Sequence, residues 1–240
     1  MIRGRGRLGR AAPEYRPAPR CSFHTTSDAG DAAEADSSSM TLAEQFGEID
    51  IYLFDQLLRG RIRPGMRVLD AGCGAGRNLI YMLRAGYEVF AADADAAAVQ
   101  HVQRLAASLA PALPAANIVA APVEQMPFPD AFADVVISSA VLHFARDDRQ
   151  FDAMVREMWR VLKSGGLLWA RLASTIGIAD QVRSITGRWS LLPDGSERYL
   201  VDEALLTQMT HELGGRLLDP IKTTVVSSQR SMTTWVVRKL

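Results

Sequence analysis

An apolar strand leads directly into a glycine-rich turn at Val68-Leu69-Asp70-Ala71-Gly72-Cys73-Gly74-Ala75-Gly76-Arg77-Asn78. The residues after this turn read as the start of a helix. In doubly wound α/β proteins such a strand, turn and helix bind a nucleotide, because glycine lets the backbone approach the ligand closely. The stretch therefore predicts a nucleotide-type ligand at the carboxyl end of the first strand.

The spacing of the glycines argues against a dinucleotide. A dinucleotide-binding turn has the pattern G-x-G-x-x-G, whereas Arg77 stands here where the third glycine of that pattern would fall. The Asp70 carboxylate beside the turn would repel a pyrophosphate, but it would attract an ammonium or a sulfonium group. This charge pattern favours an amino-acid nucleoside, and a nicotinamide-dependent oxidoreductase is the weaker alternative.

Sequence on both sides of the turn alternates between short apolar segments and helical segments, which is typical of a mostly parallel sheet. The pattern predicts strands at 67–71, 88–92, 117–121, 133–138, 167–172, 216–226 and 232–237, and helices at 78–84, 96–109, 147–162 and 202–213. The last two strands are separated by a short polar segment, which predicts an antiparallel hairpin at the sheet edge. We therefore predict an α/β fold with a doubly wound, mostly parallel seven-stranded sheet and irregular structure over 173–200.

The amino-terminal region differs in composition from the rest of the chain. Residues 1–39 are rich in arginine and lack a periodic apolar face, which predicts a disordered tail. The tail is either an extension before a functional start at Met40 or a mitochondrial transit peptide. Apolar residues at three- and four-residue spacing predict one amphipathic helix over 42–58. Residues 40–240 are then expected to form a single domain.

Composition narrows the range of partners. The 27 basic and 27 acidic residues give a formal net charge of zero, which offers no electrostatic footprint for nucleic acid. No apolar run approaches the roughly 20 residues that cross a bilayer, and two cysteines do not make a disulfide framework. The four histidines are scattered, so no metal site is evident. We expect a small-molecule partner and a cytoplasmic location, or a mitochondrial one if the tail is a transit peptide.

The glycine-rich turn resembles the first motif of class I S-adenosylmethionine-dependent methyltransferases. This resemblance implies S-adenosylmethionine as cofactor, held at the turn by Asp70, Gly72, Cys73, Gly74 and Gly76. Asp93, seventeen residues beyond Gly76, matches the acid that binds the ribose hydroxyls in this family. The alternative role for Asp93 is a helix cap, for which Asp95 is better placed.

Two further segments resemble landmarks of the same family. Residues 123–136 are similar to its adenine-side loop and fourth strand, but Pro122 stands where many relatives have an aspartate. Adenine contacts are therefore expected from the backbone of Val123 and from Glu124, which is otherwise a solvated loop acid. Ser138 and Ser139 end the fourth strand, where the family contacts the methionine part of the cofactor.

The acceptor side is less defined by sequence. His143 follows the fourth strand near the expected methyl position and is the candidate general base, with a packing or helix-capping role as the alternative. Arg171 and the segment 189–199 follow the fifth strand and are candidates to line an acceptor pocket.

The implied activity is in-line methyl transfer to a small molecule, and a catalytically inactive cofactor-binding protein is the alternative. Segments 76–81 and 85–89 are similar to the tellurite-resistance and thiopurine group of small-molecule methyltransferases. The acceptor atom and the oligomeric state remain open at this point.

Overall fold

The amphipathic segment before the first strand folds as two helices, where the sequence predicts one. The structure is a computed structural model and describes residues 40–240. Helix α1 (Leu42–Phe46) begins at a capping box formed by Thr41, and helix α2 (Ile51–Leu58) begins at an N-cap formed by Asp50. Gly47 separates them with φ +61°, a left-handed conformation that a glycine adopts without strain. The predicted tail and its targeting signal lie outside the described residues.

Five parallel strands form the centre of the sheet, as the alternating pattern predicts. The strands are β1 (Arg67–Ala71), β2 (Glu88–Asp93), β3 (Ile118–Ala120), β4 (Ala133–Ser139) and β5 (Leu162–Ala173). Helices α3 (Ile80–Arg84), α4 (Ala96–Leu109) and α5 (Asp148–Val161) connect them. The glycine pair at 165–166 lies within β5, where it makes a bulge opposite β4.

Both faces of this sheet are buried, which explains its nearly continuous apolar strands. In β1, Leu69 packs into the hydrophobic cluster with α5, whereas its neighbour Val68 packs into the cluster with α3 and α4. Successive side chains of a strand point to opposite faces, so each strand contributes to both clusters. The described part of the chain has no helix long and apolar enough to cross a membrane.

The carboxyl-terminal part closes the sheet with antiparallel strands, as predicted. Helix α6 (Glu203–Glu212) follows three short strands, β6 (Arg183–Thr186), β7 (Trp189–Leu191) and β8 (Glu197–Tyr199). The chain then forms β9 (Gly215–Leu217), β10 (Lys222–Val226) and β11 (Arg230–Lys239). The strand order is β10-β11-β5-β4-β1-β2-β3, and β9 pairs with the end of β11.

Two parts of this region differ from the sequence prediction. The segment predicted as one strand over 216–226 is divided into β9 and β10, with Pro220 between them, because proline cannot donate to a strand ladder. Strands β6, β7 and β8 form a small antiparallel sheet where the sequence predicts irregular structure. Each has only three or four residues, which is too short for a clear alternating pattern.

Candidate cofactor and acceptor site

A cavity of about 460 Å³ lies at the carboxyl ends of β1, β2 and β4. Ligands of doubly wound sheets bind at this edge, because loops after adjacent strands diverge there. The cavity is lined by most of the residues predicted for cofactor binding, namely Asp70, Gly72, Cys73, Gly74, Asp93, Val123, Glu124 and Ser139. The structure therefore brings together residues from four separate segments of the chain.

The glycine-rich turn is held against the sheet by its own backbone. The N–H groups of Gly72 and Cys73 both donate to the carbonyl oxygen of Ala92, at 2.8 and 3.1 Å. Gly72 has φ +84°, and a β-carbon there would lie 2.5 Å from a methyl group of Val141. A β-carbon on Gly74, at φ +51°, would meet no atom within 4 Å. Gly72 is thus required by packing, whereas Gly74 leaves open space beside the cavity.

The Asp93 carboxylate joins the turn to the second strand. Its Oδ2 accepts a hydrogen bond from the N–H of Gly74 at 2.8 Å, and its Oδ1 accepts one from the N–H of Asp95 at 2.9 Å. Asp95 is the residue that caps α4, since its side chain accepts from the N–H of Ala97. Each oxygen of Asp93 retains a lone pair that a ligand hydroxyl group can use.

Asp70 is the most perturbed acid in the cavity. Its side chain is buried, and Oδ1 has no hydrogen-bond partner among the described residues. Burial raises the pKa of Asp70 to about 7, with nearby Arg77 opposing the shift and Asp93 adding to it. A buried carboxylate oxygen without a partner costs free energy, which a cationic ligand would recover.

The far side of the cavity is formed by the loop after β3 and by α5. Glu124 accepts a hydrogen bond from Nε2 of Gln150 at 2.9 Å, and both residues line the cavity. The same loop is fixed by Arg160, whose guanidinium donates to the carbonyl oxygens of Met126 and Phe128. Glu124 is therefore held in place by α5, through a residue that lies 26 positions further along the chain.

The loop before α2 is tied to the cavity wall through one buried acid. Asp50 accepts a hydrogen bond from the Arg171 guanidinium at 2.5 Å, and its backbone N–H donates to the Asn78 side chain. Arg77 donates to Ser139 Oγ at 2.8 Å and to the carbonyl oxygen of Glu48 at 3.0 Å. These contacts fix the start of α2 over the carboxyl ends of the strands.

A second cavity, of about 390 Å³, adjoins the first at Ala140. Ala140 lines both cavities and has φ +62°, a conformation that costs a residue with a side chain of the order of 1–3 kcal/mol. The second cavity contains His143 and Arg171, together with residues of the loop between β7 and β8. The candidates predicted for an acceptor pocket, Arg171 and part of 189–199, are thus neighbours in the structure.

His143 is buried in the wall of the second cavity and not in that of the first. Its Nδ1 accepts a hydrogen bond from the backbone N–H of Ala173 at 3.3 Å. Burial lowers the pKa of His143 to about 4, and the positive charge of Arg198 contributes to the shift. The imidazole is therefore neutral at physiological pH, and the hydrogen bond to Nδ1 places its proton on Nε2.

Three of the predicted cofactor residues differ from the others, two in their position and one in the pKa of its side chain. Gly76 and Ser138 are sequence neighbours of residues that line the first cavity, but they do not line it themselves. Ser138 is buried and its Oγ has no partner among the described residues. Burial, with Asp70 and Asp93 nearby, raises the pKa of the Cys73 thiol, so this side chain stays uncharged. No group of three potential metal-ligand side chains occurs within residues 40–240.

Sequence reasoning missed several residues that line the first cavity. Arg77 and Asn78 belong to the strand-turn-helix stretch, but their side chains carry no motif that identifies a ligand. Phe144 reaches the cavity from a 3-10 turn (Leu142–Phe144), and Gln150 and Met154 reach it from the first part of α5. The N-cap at Asp147 signals where that helix begins, but not which side chains face the cavity.

Part of the chain is similar to a known protein family. Residues 69–170 match the family model described as a methyltransferase domain. Over these residues, which make up less than half of the chain, the protein is similar to that family. This similarity supports S-adenosylmethionine as the cofactor, and the match runs from β1 to β5, at whose carboxyl ends the first cavity lies.

Two curated relatives match the same region at moderate identity. A probable S-adenosylmethionine-dependent methyltransferase of Mycobacterium tuberculosis (strain ATCC 25618 / H37Rv) is 33% identical over 126 residues, covering 50% of this chain and 42% of the relative. A malonyl-[acyl-carrier protein] O-methyltransferase of Enterobacter lignolyticus (strain SCF1) is 32% identical over 165 residues, covering 68% of this chain and 60% of the relative. The chain thus spans less than two thirds of the length of either relative.

A solved structure shows the same fold. The 1,6-didemethyltoxoflavin-N1-methyltransferase of Burkholderia thailandensis, solved with 1,6-didemethyltoxoflavin and S-adenosylhomocysteine, superposes with a TM-score of 0.60. It is 20% identical, and the superposition covers 78% of this chain and 75% of that one. This likeness supports the doubly wound, mostly parallel architecture.

Proposed function

We propose that this protein transfers a methyl group from S-adenosylmethionine to a small-molecule acceptor. The observation that carries the proposal is the unpartnered Oδ1 of buried Asp70 inside a cavity that also holds Gly74 and Asp93. The second cavity beyond Ala140 supports it, because transfer needs a separate acceptor site beside the cofactor site. Neither the inactive-protein alternative nor the oxidoreductase alternative is favoured by a relative or a contact.

The residues of the first cavity fit the cofactor in shape and charge. Asp70 would face the ammonium group, since an unpaired buried carboxylate attracts a cation in a low-dielectric site. Asp93 would accept the two ribose hydroxyls on the lone pairs that its backbone bonds leave free. The Val123 backbone and Glu124 would contact the adenine, and Ser139 would lie toward the methionine part.

The cofactor supplies an activated methyl group: the acceptor's lone pair forms the new bond to carbon while the S–CH₃ pair returns to sulfur, leaving S-adenosylhomocysteine. The main contribution of the protein is to align the two molecules and exclude water, which can supply roughly 7–11 kcal/mol. Ala140 separates the two cavities and is the place where the nucleophile would meet the methyl group. Its left-handed backbone is held by a hydrogen bond from its N–H to the carbonyl oxygen of Arg171 at 2.7 Å.

The role of His143 as a general base stays a prediction. The Nδ1 lone pair of His143 accepts a hydrogen bond from the N–H of Ala173, and Nε2 carries the proton. The ring can therefore act toward a ligand as a hydrogen-bond donor. A hydrogen-bond donor can orient an oxygen atom of the methyl acceptor without taking a proton from it. Because its pKa is about 4, His143 should give no step in a pH–rate profile between pH 5.5 and 8.

Acceptor identity does not follow from the relatives. Their names specify a malonyl-[acyl-carrier protein] and 1,6-didemethyltoxoflavin, which are chemically unrelated. Membership of the tellurite-resistance and thiopurine group and a cytoplasmic location also stay predictions. We propose a small molecule because the second cavity has the volume of a small-ligand site, which is on the order of 300–1,000 Å³.

The experiment that tests the proposal has two steps with the full chain. Calorimetry should show binding of S-adenosylmethionine and of S-adenosylhomocysteine, but not of NAD. Incubation with S-adenosylmethionine carrying a deuterated methyl group and pools of small molecules should give labelled products by mass spectrometry. Binding without transfer to any pool would favour the inactive-protein alternative, and preferential binding of NAD would overturn the proposal.

A further inference from the structure

The second cavity carries an uneven set of charges. Its ionic side chains are Arg171, Arg198, Arg230 and a single acid, Asp194. The charge of Arg171 is already paired with buried Asp50 at 2.5 Å. Two arginines therefore face one carboxylate, which leaves an excess of one positive charge. His143 is neutral and adds nothing to it.

The two remaining arginines are differently held. Arg230 is exposed and its side chain makes no hydrogen bond or ion pair with any other described residue, so its guanidinium is available to a ligand. Arg198 lies over the ring of Phe144 at 4.9 Å and donates to the carbonyl oxygen of Glu197. A guanidinium stacked on an aromatic ring is oriented in advance, which reduces the entropy lost when it binds an anion.

The acid in this cavity does not cancel both arginines. Asp194 accepts hydrogen bonds from the N–H and the hydroxyl of Ser196, at 2.9 and 2.6 Å. These bonds lower the pKa of Asp194, and the charges of Arg230 and Arg198 lower it further. Neither arginine lies within ion-pair distance of it, so both keep donors free.

Apolar side chains complete the lining of the cavity. Leu192, Val226 and Met232 line it together with Ala140, on the boundary with the cofactor cavity. A ligand that fits this surface has an apolar body and one charged end. Planar guanidinium groups bind carboxylates and phosphates through paired hydrogen bonds, which gives the anion a fixed orientation.

We propose that the second cavity is the acceptor subsite and selects small molecules that carry one oxo-acid anion, held by Arg198 and Arg230. This inference rests on the proposed function for the transfer step, but anion binding can be measured without transfer. The anion fixes one end of the acceptor, and its apolar body extends toward Ala140. An uncharged acceptor would leave the two guanidinium groups without a partner after they lose water, so the cavity discriminates against it.

The test uses the full chain saturated with S-adenosylhomocysteine and three probes that carry the same phenyl ring and different polar ends. Phenylacetate, phenyl phosphate and phenylacetamide are compared by saturation-transfer difference NMR. We expect the acids to bind at least about fivefold more tightly than the amide, because bidentate charged hydrogen bonds are lost with the neutral group. Comparison of the two acids shows whether a carboxylate or a phosphate is preferred.

Matched variants assign the effect to the cavity. R230Q and R198Q are each expected to weaken phenylacetate binding at least about fivefold, whereas D194N should strengthen it by removing the opposing charge. R183Q is the control, because it makes the same change in net charge at a residue that is exposed on β6 and does not line the cavity. Its affinity for phenylacetate should stay within about twofold of the parent, as screened surface charges act weakly at a distance.

Several outcomes overturn the inference. One is equal affinity for phenylacetate and phenylacetamide, and another is a loss of phenylacetate affinity in R183Q as large as that in R230Q and R198Q. The third is no binding of either acid up to about 10 mM, a concentration at which even a weak site would be occupied. Calorimetry of S-adenosylmethionine on the same protein, before S-adenosylhomocysteine is added, separates this failure from that of the proposed function. Cofactor binding without acid preference defeats the anion site alone. Acid preference without cofactor binding defeats the proposed function and leaves the anion site standing.

Discussion

Asp70 is predicted to couple cofactor binding to its own protonation. The pKa of the free protein's Asp70 is about 7, whereas the ordinary value is 3.8, so folding favours its neutral form. The stability that this shift contributes is fully present below pH 3.8 and is lost as pH rises through 7. A bound ammonium group would instead favour the carboxylate and lower its pKa.

S-adenosylmethionine affinity should therefore rise between about pH 5 and pH 7, with release of a proton on binding. Calorimetry in buffers of different ionisation enthalpy measures both quantities. D70N should bind weakly and show no such pH dependence. D95N is the control, because Asp95 caps α4 and does not line the cavity, and it should keep the parent's pH dependence. Equal affinity at pH 5 and pH 7 in the parent protein would contradict this role for Asp70.

Asp93 is expected to bind the ribose, and D93A tests it. Loss of its charged hydrogen bonds should weaken S-adenosylmethionine affinity by about 1.5–3 kcal/mol. Asp95 provides the matched control, since D95A should lower the melting temperature through loss of the cap, about 1 kcal/mol, with little change in affinity. If D93A changes only the melting temperature, its carboxylate serves the turn and not the ligand.

The glycines of the turn separate packing from ligand contact. G74V places its side chain in open space beside the cavity, so it should abolish cofactor binding and cost about 1–2 kcal/mol of stability from its left-handed φ. G72V has the same strain and also a clash with Val141 at 2.5 Å, so it should lower the melting temperature further. Calorimetry and thermal unfolding together distinguish the two. Unchanged affinity in G74V would show that the turn is structural only.

At the scale of elements, the break between α1 and α2 lies at a glycine that packs against α3. Gly47 lies at φ +61°, and a β-carbon there would lie 2.5 Å from Cδ1 and 3.1 Å from Cβ of Ile80. Because Cβ of Ile80 is fixed to the backbone of α3, rotating the end of the Ile80 side chain would relieve the contact with Cδ1 but not the 3.1 Å contact with Cβ. Packing against α3 therefore fixes the position at which α1 ends and the chain turns toward α2.

Thermal unfolding of G47A and G60A measures this packing. Gly60 has a similar φ of +64°, but a β-carbon there would meet nothing within 4 Å. G60A should cost about 1–2 kcal/mol from backbone strain, whereas G47A should cost about 1–3 kcal/mol more from overpacking. Equal costs in the two variants would mean that Ile80 moves aside and that the break is not fixed by packing.

At the scale of the whole molecule, residues 40–240 should fold and bind the cofactor without residues 1–39. The tail sequence has no periodic apolar face with which to offset the entropy of ordering. A chain that begins at Met40 should match the full chain in melting temperature and S-adenosylmethionine affinity. A loss of either at Met40 would contradict the prediction.

A chain that begins at Arg61 should lose both properties. It lacks α2, which contributes fully buried Leu53 to the core, and Asp50, which pairs with Arg171 at the strand ends. Removing one partner of a buried ion pair costs about 3–5 kcal/mol. If this shorter chain binds the cofactor as well as the full chain, α1 and α2 have no part in the cofactor site.

Local sequence determined the strands of the central sheet and the position of most of the predicted cofactor residues at the ends of those strands. The strand-turn-helix stretch specifies its own conformation, because glycine spacing and apolar runs act over a few neighbouring residues. A mostly parallel sheet then brings the carboxyl ends of its strands to one edge. This is why Asp70 and Asp93, chosen from sequence, line the same cavity in the structure.

Tertiary structure alone decided the break at Gly47, the small sheet of β6 to β8 and the composition of the second cavity. Arg198 and Arg230 come from segments with no common motif, and their nearness depends on pairing between short strands and on the position of β11. The tautomer of His143 likewise depends on the backbone N–H of Ala173, thirty residues away. Such contacts follow from packing between distant segments, for which a periodic pattern in one segment holds no information.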